Sequence, residues 1–279
     1  MPRSQAEKAR AFQALHQRPG AFVIPNPWDA GTARILAALG FEALTTTSAG
    51  LAFTLGKRDG TGAVTRDQTL SSAKAIVEST DLPVAADLEN GFGHAPQIVA
   101  RTIRLAGEAG LVGGSIEDAT GDPEQPIYDI RHAVDRIEAA VAAARSLGFP
   151  FLLVARAENY LHGRPDLDDT INRLQAFEAA GADVLFAPGL TRPEDIRRVC
   201  TSVSRPVNVV IGAVGAKLDY SVAKLAELGV KRVSLGAGLS RVALATFLRA
   251  ARELKEQGTF TWVKDALSYA QLDEYLQQD

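Results

Sequence analysis

Short runs rich in Val, Ile, Leu and Ala alternate with longer stretches of helical periodicity from about residue 21 to about residue 256. The apolar runs fall near 21–26, 42–48, 83–88, 113–117, 150–156, 182–187, 206–211 and 232–236, and they read as buried strands. Between them, segments such as Leu70-Ser-Ser-Ala-Lys-Ala-Ile-Val77 and Val134-Asp-Arg-Ile-Glu-Ala-Ala-Val141 place apolar residues at helical spacing. Gly40, Gly110, Gly148, Gly181 and Gly229 each stand after such a stretch and before the next run, where a helix ends in a left-handed turn. Eight successive βα units predict an α/β fold, a (β/α)8 TIM barrel, as a single domain over residues 1–279. Residues 1–20 form an N-terminal helix (4–17) covering the barrel bottom, 21–256 the barrel, and 257–279 a helical tail. An open nucleotide-binding sheet fits poorly, because no Gly-x-Gly-x-x-Gly follows an early strand and Gly56–Gly62 lacks the P-loop ending.

The tail carries Phe260, Trp262, Val263, Ala266, Leu267, Leu272, Tyr275 and Leu276, too many large apolar groups to stand in water. It must dock on its own barrel or on a neighbour's. A net charge of -3 with scattered Lys and Arg leaves no basic face for a nucleic-acid backbone, and aromatic residues are too sparse for base stacking. The first ten residues are polar and no segment is long and apolar enough to span a bilayer, so no membrane partner and a cytoplasmic location are expected. The single cysteine, Cys200, fits a reducing compartment and a packing role.

The candidate chemistry lies where apolar runs end. Asp87 and Glu89 close one run, Glu117 and Asp118 the next. If those strands are parallel neighbours, their carboxylates converge at one barrel edge, and convergent carboxylates need a counter-charge such as a hard divalent cation. Other polar residues ending runs are Asn26, Asp29, Ser48-Ala49-Gly50, Arg156, Glu158, Asn159 and Asn208. Helix capping accounts for Asp29, Asn159 and Asp118. It does not account for Arg156, whose guanidinium after Leu-Leu-Val-Ala must bind an anionic ligand or pair with Glu158 or Glu117; the ligand is favoured. His94 has the position of a proton carrier, but a loop or helix-start role fits it better.

The runs Thr47-Ser-Ala-Gly50, Lys57-Arg-Asp-Gly60, Ala86-Asp-Leu-Glu-Asn-Gly-Phe-Gly93, Ser115-Ile-Glu-Asp118, Val154-Ala-Arg-Ala-Glu-Asn159 and Pro206-Val-Asn208 together resemble the isocitrate lyase and phosphoenolpyruvate mutase superfamily. The resemblance covers nearly the whole barrel in the right order. It implies Mg2+ (Mn2+ possible), a 2-oxo acid or its enol as ligand, and a homotetramer, a dimer of dimers whose subunits exchange a C-terminal helix. By the same resemblance Asp87, Glu89 and Glu117 form the metal site, with Asp87 on the cation and the two glutamates on its waters. Ser48 and the N–H groups of Ala49 and Gly50 would bind the ligand carboxylate, with Arg156 supplying the positive charge. Asp59 matches an acidic residue near the metal, and Asn208 a contact to the far end of the substrate; Asp59, Arg156 and Glu117 are the implied catalytic group.

Members that cleave isocitrate or methylisocitrate carry a Lys-Lys/Arg-Cys-Gly-His loop after the Glu-Asp strand. Here Ala119-Thr-Gly-Asp-Pro-Glu-Gln-Pro-Ile-Tyr-Asp129 has no cysteine, histidine or lysine. The expected activity is therefore a Mg2+-dependent carbon–carbon lyase on a small 2-oxo dicarboxylic acid such as oxaloacetate, by cleavage or decarboxylation through a metal-stabilised enolate. The alternatives are phosphoenolpyruvate or carboxyphosphonate mutase chemistry on a P–C bond, and a 2-oxo-acid-binding protein with little turnover.

Overall fold

The computed structural model describes residues 2–212 and 220–277. Its strands are β1 (Phe22–Ile24), β2 (Leu44–Thr45), β3 (Val84–Asp87), β4 (Gly113–Glu117), β5 (Leu152–Arg156), β6 (Val184–Phe186), β7 (Val207–Val210) and β8 (Arg232–Ser234). The helices are α1 (Gln5–Gln17), α2 (Ala30–Ala38), α3 (Ser48–Thr54), α4 (Arg66–Glu78), α5 (Pro96–Glu108), α6 (Ile130–Arg145), α7 (Leu167–Ala179), α8 (Pro193–Ser202), α9 (Val222–Glu227), α10 (Gly238–Gln257) and α11 (Tyr269–Leu276). The sheet order β1-β8-β7-β6-β5-β4-β3-β2, parallel throughout, is that of a (β/α)8 barrel. All five glycines expected at helix ends have φ between 75° and 98°.

The seam between β1 and β2 is held differently from the other ladders. Pro25 and Pro27 have no N–H to donate, which stops β1 at Ile24. The barrel closes through Thr45 N–H to the Pro25 carbonyl at 3.1 Å and through the side chain of Asn26. Its Nδ2 donates to the Thr46 carbonyl (2.9 Å), and its Oδ1 accepts from Leu235 N–H just after β8 (2.8 Å). The run expected at 42–48 keeps only Leu44 and Thr45 as strand, because two of its threonines serve elsewhere. The Thr46 hydroxyl accepts from Asp87 N–H (3.1 Å), and Thr47 caps α3 by accepting from Gly50 N–H (3.3 Å).

One core lies between the strands and the outer helices; a second fills the barrel bottom. Helix α1 opens on a capping box, in which Ser4 and Glu7 each accept the other's backbone N–H. It then inserts Phe12 and Leu15 among Phe22, Ile24, Ala85, Val112 and Leu152. The chain is thin at that level: a Cβ on Gly113 would stand 3.0 Å from Phe12 Cε1, and one on Gly114 would stand 2.7 Å from Leu88 Cδ1. At the other extreme, α10 buries only Ser240, leaving Val242 at 65% and Phe247 at 69% exposure. The tail does dock on its own barrel, through α11 against α2, where Arg34 Nη1 donates to the Leu276 carbonyl (3.1 Å). Phe260, Val263 and Leu267 nevertheless stay exposed. Among the described residues no helix is long and apolar enough to cross a membrane.

His16 closes the bottom plug between Phe12 and Phe22, with ring centroids 4.8 and 5.0 Å away, and Nδ1 bonded to the Phe12 carbonyl at 2.8 Å. Burial, then repulsion from Arg232, lowers its pKa to about 3. The unfolded chain, with an ordinary histidine near 6.5, therefore binds the proton more readily. His16 supports the fold fully above pH 6.5, and that support is lost progressively as pH falls toward 3, at up to about 1.4 kcal/mol per pH unit. Denaturant unfolding at pH 7.5, 6 and 5 should show a steeper loss of stability for wild type than for His16→Gln; equal slopes would show that other groups govern acid sensitivity.

Candidate active site

In parallel strands, paired positions put their side chains on the same face. Phe22, Arg232, Asn208, Phe186, Arg156 and Glu117 are successive partners across β1, β8, β7, β6, β5 and β4. Strand tilt makes this row climb from the bottom plug at Phe22 to the carboxyl end of β4 at Glu117. The upper end carries the expected acidic cluster.

Arg156 stands in the middle of it, with a side chain only 13% exposed. Its Nε donates to Glu158 Oε1 (2.8 Å), Nη1 to Asp87 Oδ1 (3.0 Å), and Nη2 lies 3.3 Å from Glu117 Oε2, while Phe186 packs its ring 5.1 Å below. The pairing considered from sequence is thus present with both Glu158 and Glu117, and extends to Asp87. Burial alone would lower the Arg156 pKa, but Glu158, Asp87 and Glu117 together reverse the shift and raise it well above its usual range. One cation does not neutralise so many carboxyl groups. Burial holds Glu117 well above the usual carboxylate range despite Arg156, with Glu158, Asp87 and Glu89 adding repulsion. Glu89 is pushed up to about 7 by burial, then by Asp87 and Asp59. Asp59, on an exposed loop, has its carboxyl tucked toward the same cluster; that burial and Asp87 raise its pKa, while the Ser48 hydroxyl opposes the shift.

Asp87 is the most firmly held of these groups. Its Oδ1 accepts from Glu89 N–H (3.2 Å) and lies 3.5 Å from the Ser115 hydroxyl; its Oδ2 accepts from Ser48 N–H (3.3 Å). Ser48 and Ala49 reach the cavity wall, whereas Gly50 is buried behind them with its N–H on Thr47. A Cβ on Gly50 would fall 2.5 Å from Thr47 Cγ2 and 3.1 Å from Trp28 Cβ, so the turn into α3 admits no side chain there. The cavity above these groups has a volume of about 390 Å3 and is walled by Ser48, Asp59, Asp87, Arg156, Arg232 and Arg241 among others. Asn208 is set back from that wall: its Oδ1 accepts from Arg232 Nε (2.9 Å) and its Nδ2 donates to Ser234 Oγ (3.0 Å).

Two capping assignments are corrected here. Asp118 caps nothing; 2% exposed, it accepts from Glu158 N–H (2.8 Å) and Arg173 Nη1 (3.0 Å), bracing the ends of β4 and β5 against α7. Burial raises its pKa to about 6. Asn159 ties its own loop together through the Arg164 and Asp166 carbonyls and Thr170, while Asp166 caps α7. Asp29 does cap α2, accepting from Thr32 N–H at 2.7 Å. His94 has a loop role, its Nδ1 2.6 Å from the Tyr128 hydroxyl. Cys200 lies inside α8 under Gly229, its thiol pushed up to about 12 by burial.

Arg136 and Arg232 were not singled out from sequence. The signal for Arg136 is its place on the apolar stripe Ala133, Ile137, Ala140 of α6, all buried. It donates to the carbonyls of Asn90, Gly93 (2.6 Å) and His94 (2.7 Å), with its guanidinium 4.3 Å from the Tyr128 ring centroid. The loop it holds contains Glu89 and Phe92 at φ 49° and 62°, a conformation that side chains disfavour and that surrounding contacts must enforce. Beyond β4, the segment 119–129 folds back on itself: Ala119 pairs with Ile127, Thr120 N–H donates to the Pro126 carbonyl, and residues 121–125 are exposed.

The acidic, arginine-bridged strand ends lie at the carboxyl face of a (β/α)8 barrel, the face that carries the active site in enzymes of this fold. Residues 12–255 match the family described as phosphoenolpyruvate phosphomutase, and the chain belongs to this family, within the phosphoenolpyruvate mutase/isocitrate lyase superfamily of enzymes. It is similar to 2-methylisocitrate lyase of Halalkalibacterium halodurans, 28% identical over 260 residues that cover 92% of this chain and 85% of that one. A crystal structure from Burkholderia cenocepacia J2315, of a protein classed as a lyase/mutase without a demonstrated reaction, is 58% identical with TM-score 0.95, covering 98% and 97% of the two chains. Oxaloacetate acetylhydrolase is 26% identical with TM-score 0.86, covering 99% and 95%.

Removing the Arg136 guanidinium leaves the carbonyls of Asn90 and Gly93 without their donor and that of His94 with His132 Nε2 alone. Arg136→Met should cost about 3 kcal/mol of stability, read by denaturant unfolding, and should speed hydrogen exchange at residues 89–94 ahead of the rest of the barrel. Exchange unchanged in that loop would mean that the strand ends hold it unaided.

Proposed function

We propose that this protein is a Mg2+-dependent lyase that acts on a small 2-oxo (di)carboxylic acid by C–C cleavage or decarboxylation. The observation that carries the reading is the sharing of one guanidinium, Arg156, by Asp87, Glu117 and Glu158 beside a cavity of about 390 Å3. Carboxyl groups in excess of positive charge form a hard oxygen donor set; burial first, and then the neighbouring carboxylates, raise the pKa values of Glu89, Glu117 and Asp59. This donor set fits Mg2+ or Mn2+. Among the described residues no three acidic, histidine or cysteine side chains are grouped so as to hold a metal ion by themselves; magnesium needs only one or two carboxylates, with water and substrate completing its octahedron.

Asp87 would hold the cation, with Glu89 and Glu117 accepting from its water ligands. Bound there, the metal supplies positive charge against the negative charge that develops on the oxo acid as its C–C bond breaks. Arg156, the Ser48 hydroxyl and the Ala49 N–H would bind the ligand carboxylate. Asp59 lines the same cavity, with its pKa raised by burial and Asp87, and would serve as the proton carrier of the site. The self-closed loop 119–129 offers no cysteine, histidine or lysine for a general-acid role. Acid–base assistance is typically worth about 10²–10⁴-fold, so isocitrate cleavage is disfavoured relative to reactions of an oxaloacetate-like acid, a ligand class named by the relative oxaloacetate acetylhydrolase.

Calorimetry with pyruvate present should show Mg2+ binding to wild type, weakened at least about tenfold in Asp87→Asn. Activity on oxaloacetate should exceed that on isocitrate in kcat/KM, and both should vanish with EDTA. Absence of divalent-ion binding to wild type would sink the metal assignment; isocitrate as the better substrate would show that another group replaces the missing cysteine.

The same reading includes a homo-oligomer, a dimer of dimers in which the exposed α10 face is covered by a second copy. Leu244, Phe247 and Leu248 form an exposed apolar stripe, and Val242 is exposed on another side of the same helix. Light scattering at micromolar concentration should give an oligomer for wild type and a smaller species for Phe247→Asp. A monomeric wild type would contradict this assignment.

A further inference from the structure

Arg232 is the one buried arginine facing this cavity that the mechanism leaves without work. It lies at the lower end of the inward row, 4% exposed, beside Asn208 on β7 and above the plug residue Phe22 on β1. Nε donates to Asn208 Oδ1 at 2.9 Å. Nη1 is buried and has no partner, and among the described residues no carboxylate forms an ion pair with this side chain. The contrast with Arg156, three strands away and tied to three carboxylates, is sharp. Arginine is almost never fully buried unless paired, and an apolar residue of similar volume is often as stable in its place. Burial, and then repulsion from Arg156, lowers its pKa to about 10, so it stays charged at neutral pH. A standing positive charge at the cavity floor has therefore been kept despite its cost.

We infer that Arg232 is the counter-charge for a second acidic group on the ligand, and that the cavity selects dianionic over monoanionic acids. Arg232 and Ser234 both line the cavity, and Asn208 fixes the two together: its carbonyl oxygen turns the guanidinium and its amide holds the Ser234 hydroxyl. Arg241, on the same wall, adds positive charge near the rim. A ligand whose first carboxylate meets Ser48 and Arg156 would reach down the barrel with its second acidic group to the Arg232 guanidinium. The shared chemistry is a compact dianion, whether that second group is a carboxylate or a phosphonate. The inference rests on the reading of the cavity as a 2-oxo-acid site.

The test is stopped-flow quenching of tryptophan fluorescence, read within seconds with Mg2+ present, for pyruvate, oxaloacetate and phosphonopyruvate. Wild type should bind at least one of the two dianions at least tenfold more tightly than pyruvate, and the preferred dianion identifies the second group. Arg232→Met should bind pyruvate as wild type does and lose that preference, while Arg232→Lys, which keeps the charge, retains part of it. Circular dichroism and a ligand-free Tm within a few degrees of wild type would establish that the variant is folded. An unchanged dianion-to-pyruvate ratio in folded Arg232→Met overturns the inference, with buried water satisfying Nη1 instead. Should that variant not fold, Ser234→Ala takes its place, expected to lower the preference severalfold; no change there likewise overturns the inference. Failure of all three acids to bind wild type would instead defeat the 2-oxo-acid reading.

Discussion

The carboxyl face of this barrel depends on one guanidinium being shared. Arg156 takes carboxylates from the ends of three strands, and without it Asp87, Glu117 and Glu158 would stand together in a half-buried space with nothing to offset them. The sharing is incomplete by design of the sequence around it. Asp87 is fixed by the backbone N–H groups of Ser48 and Glu89, by the Ser115 hydroxyl and, through its own N–H, by Thr46, so it remains in place whichever cation it faces. Glu117 and Glu89 have fewer such donors, and burial together with the neighbouring carboxylates raises their pKa values. A site of this kind stores charge imbalance in the carboxylates that are least tied down, where an incoming cation or ligand can relieve it.

The support for this arrangement comes from a ring of residues that touch no cavity. Asp118 locks β4 to β5 and to α7 through Arg173, and Arg136 arches the loop after β3 so that Glu89 can adopt a left-handed backbone. Arg136 is satisfied by backbone carbonyls, and Asp118 by one backbone N–H and the Arg173 guanidinium. Such contacts set direction as well as stability, since a carbonyl or N–H in a fixed strand end accepts a partner from only a narrow range of angles.

Much of this was legible in the chain. Apolar runs, helical spacing and the glycines at 40, 110, 148, 181 and 229 are local signals, and they placed all eight strands and the bottom helix. Asp87, Glu117 and Arg156 were legible because each polar residue interrupts an apolar run at its end. Arg232 was not, because it begins its run rather than ends it; only the tilt of the barrel brings it under the cavity, and tilt is a property of eight strands together. Asp118 was mistaken for a cap because an aspartate before a loop has the same local appearance whether its partner is the next helix or an arginine 55 residues away. Arg136 hides in a helix that also carries exposed charges on its other face.

The Asn26 seam bears on how such a barrel assembles. Its amide joins residues next to β1 to the end of β8, 209 positions along the chain, and to β2 only 20 positions away. The near contact can form early, whereas the distant one must wait until the last strand has arrived, because closing so long a loop is entropically slow before other contacts shorten it. The side chain would then act as a latch set by whichever end of the sheet comes home last. A barrel closed mainly by one amide and one backbone bond can also open there first, letting the mouth widen locally while seven ladders keep the remaining strands in register.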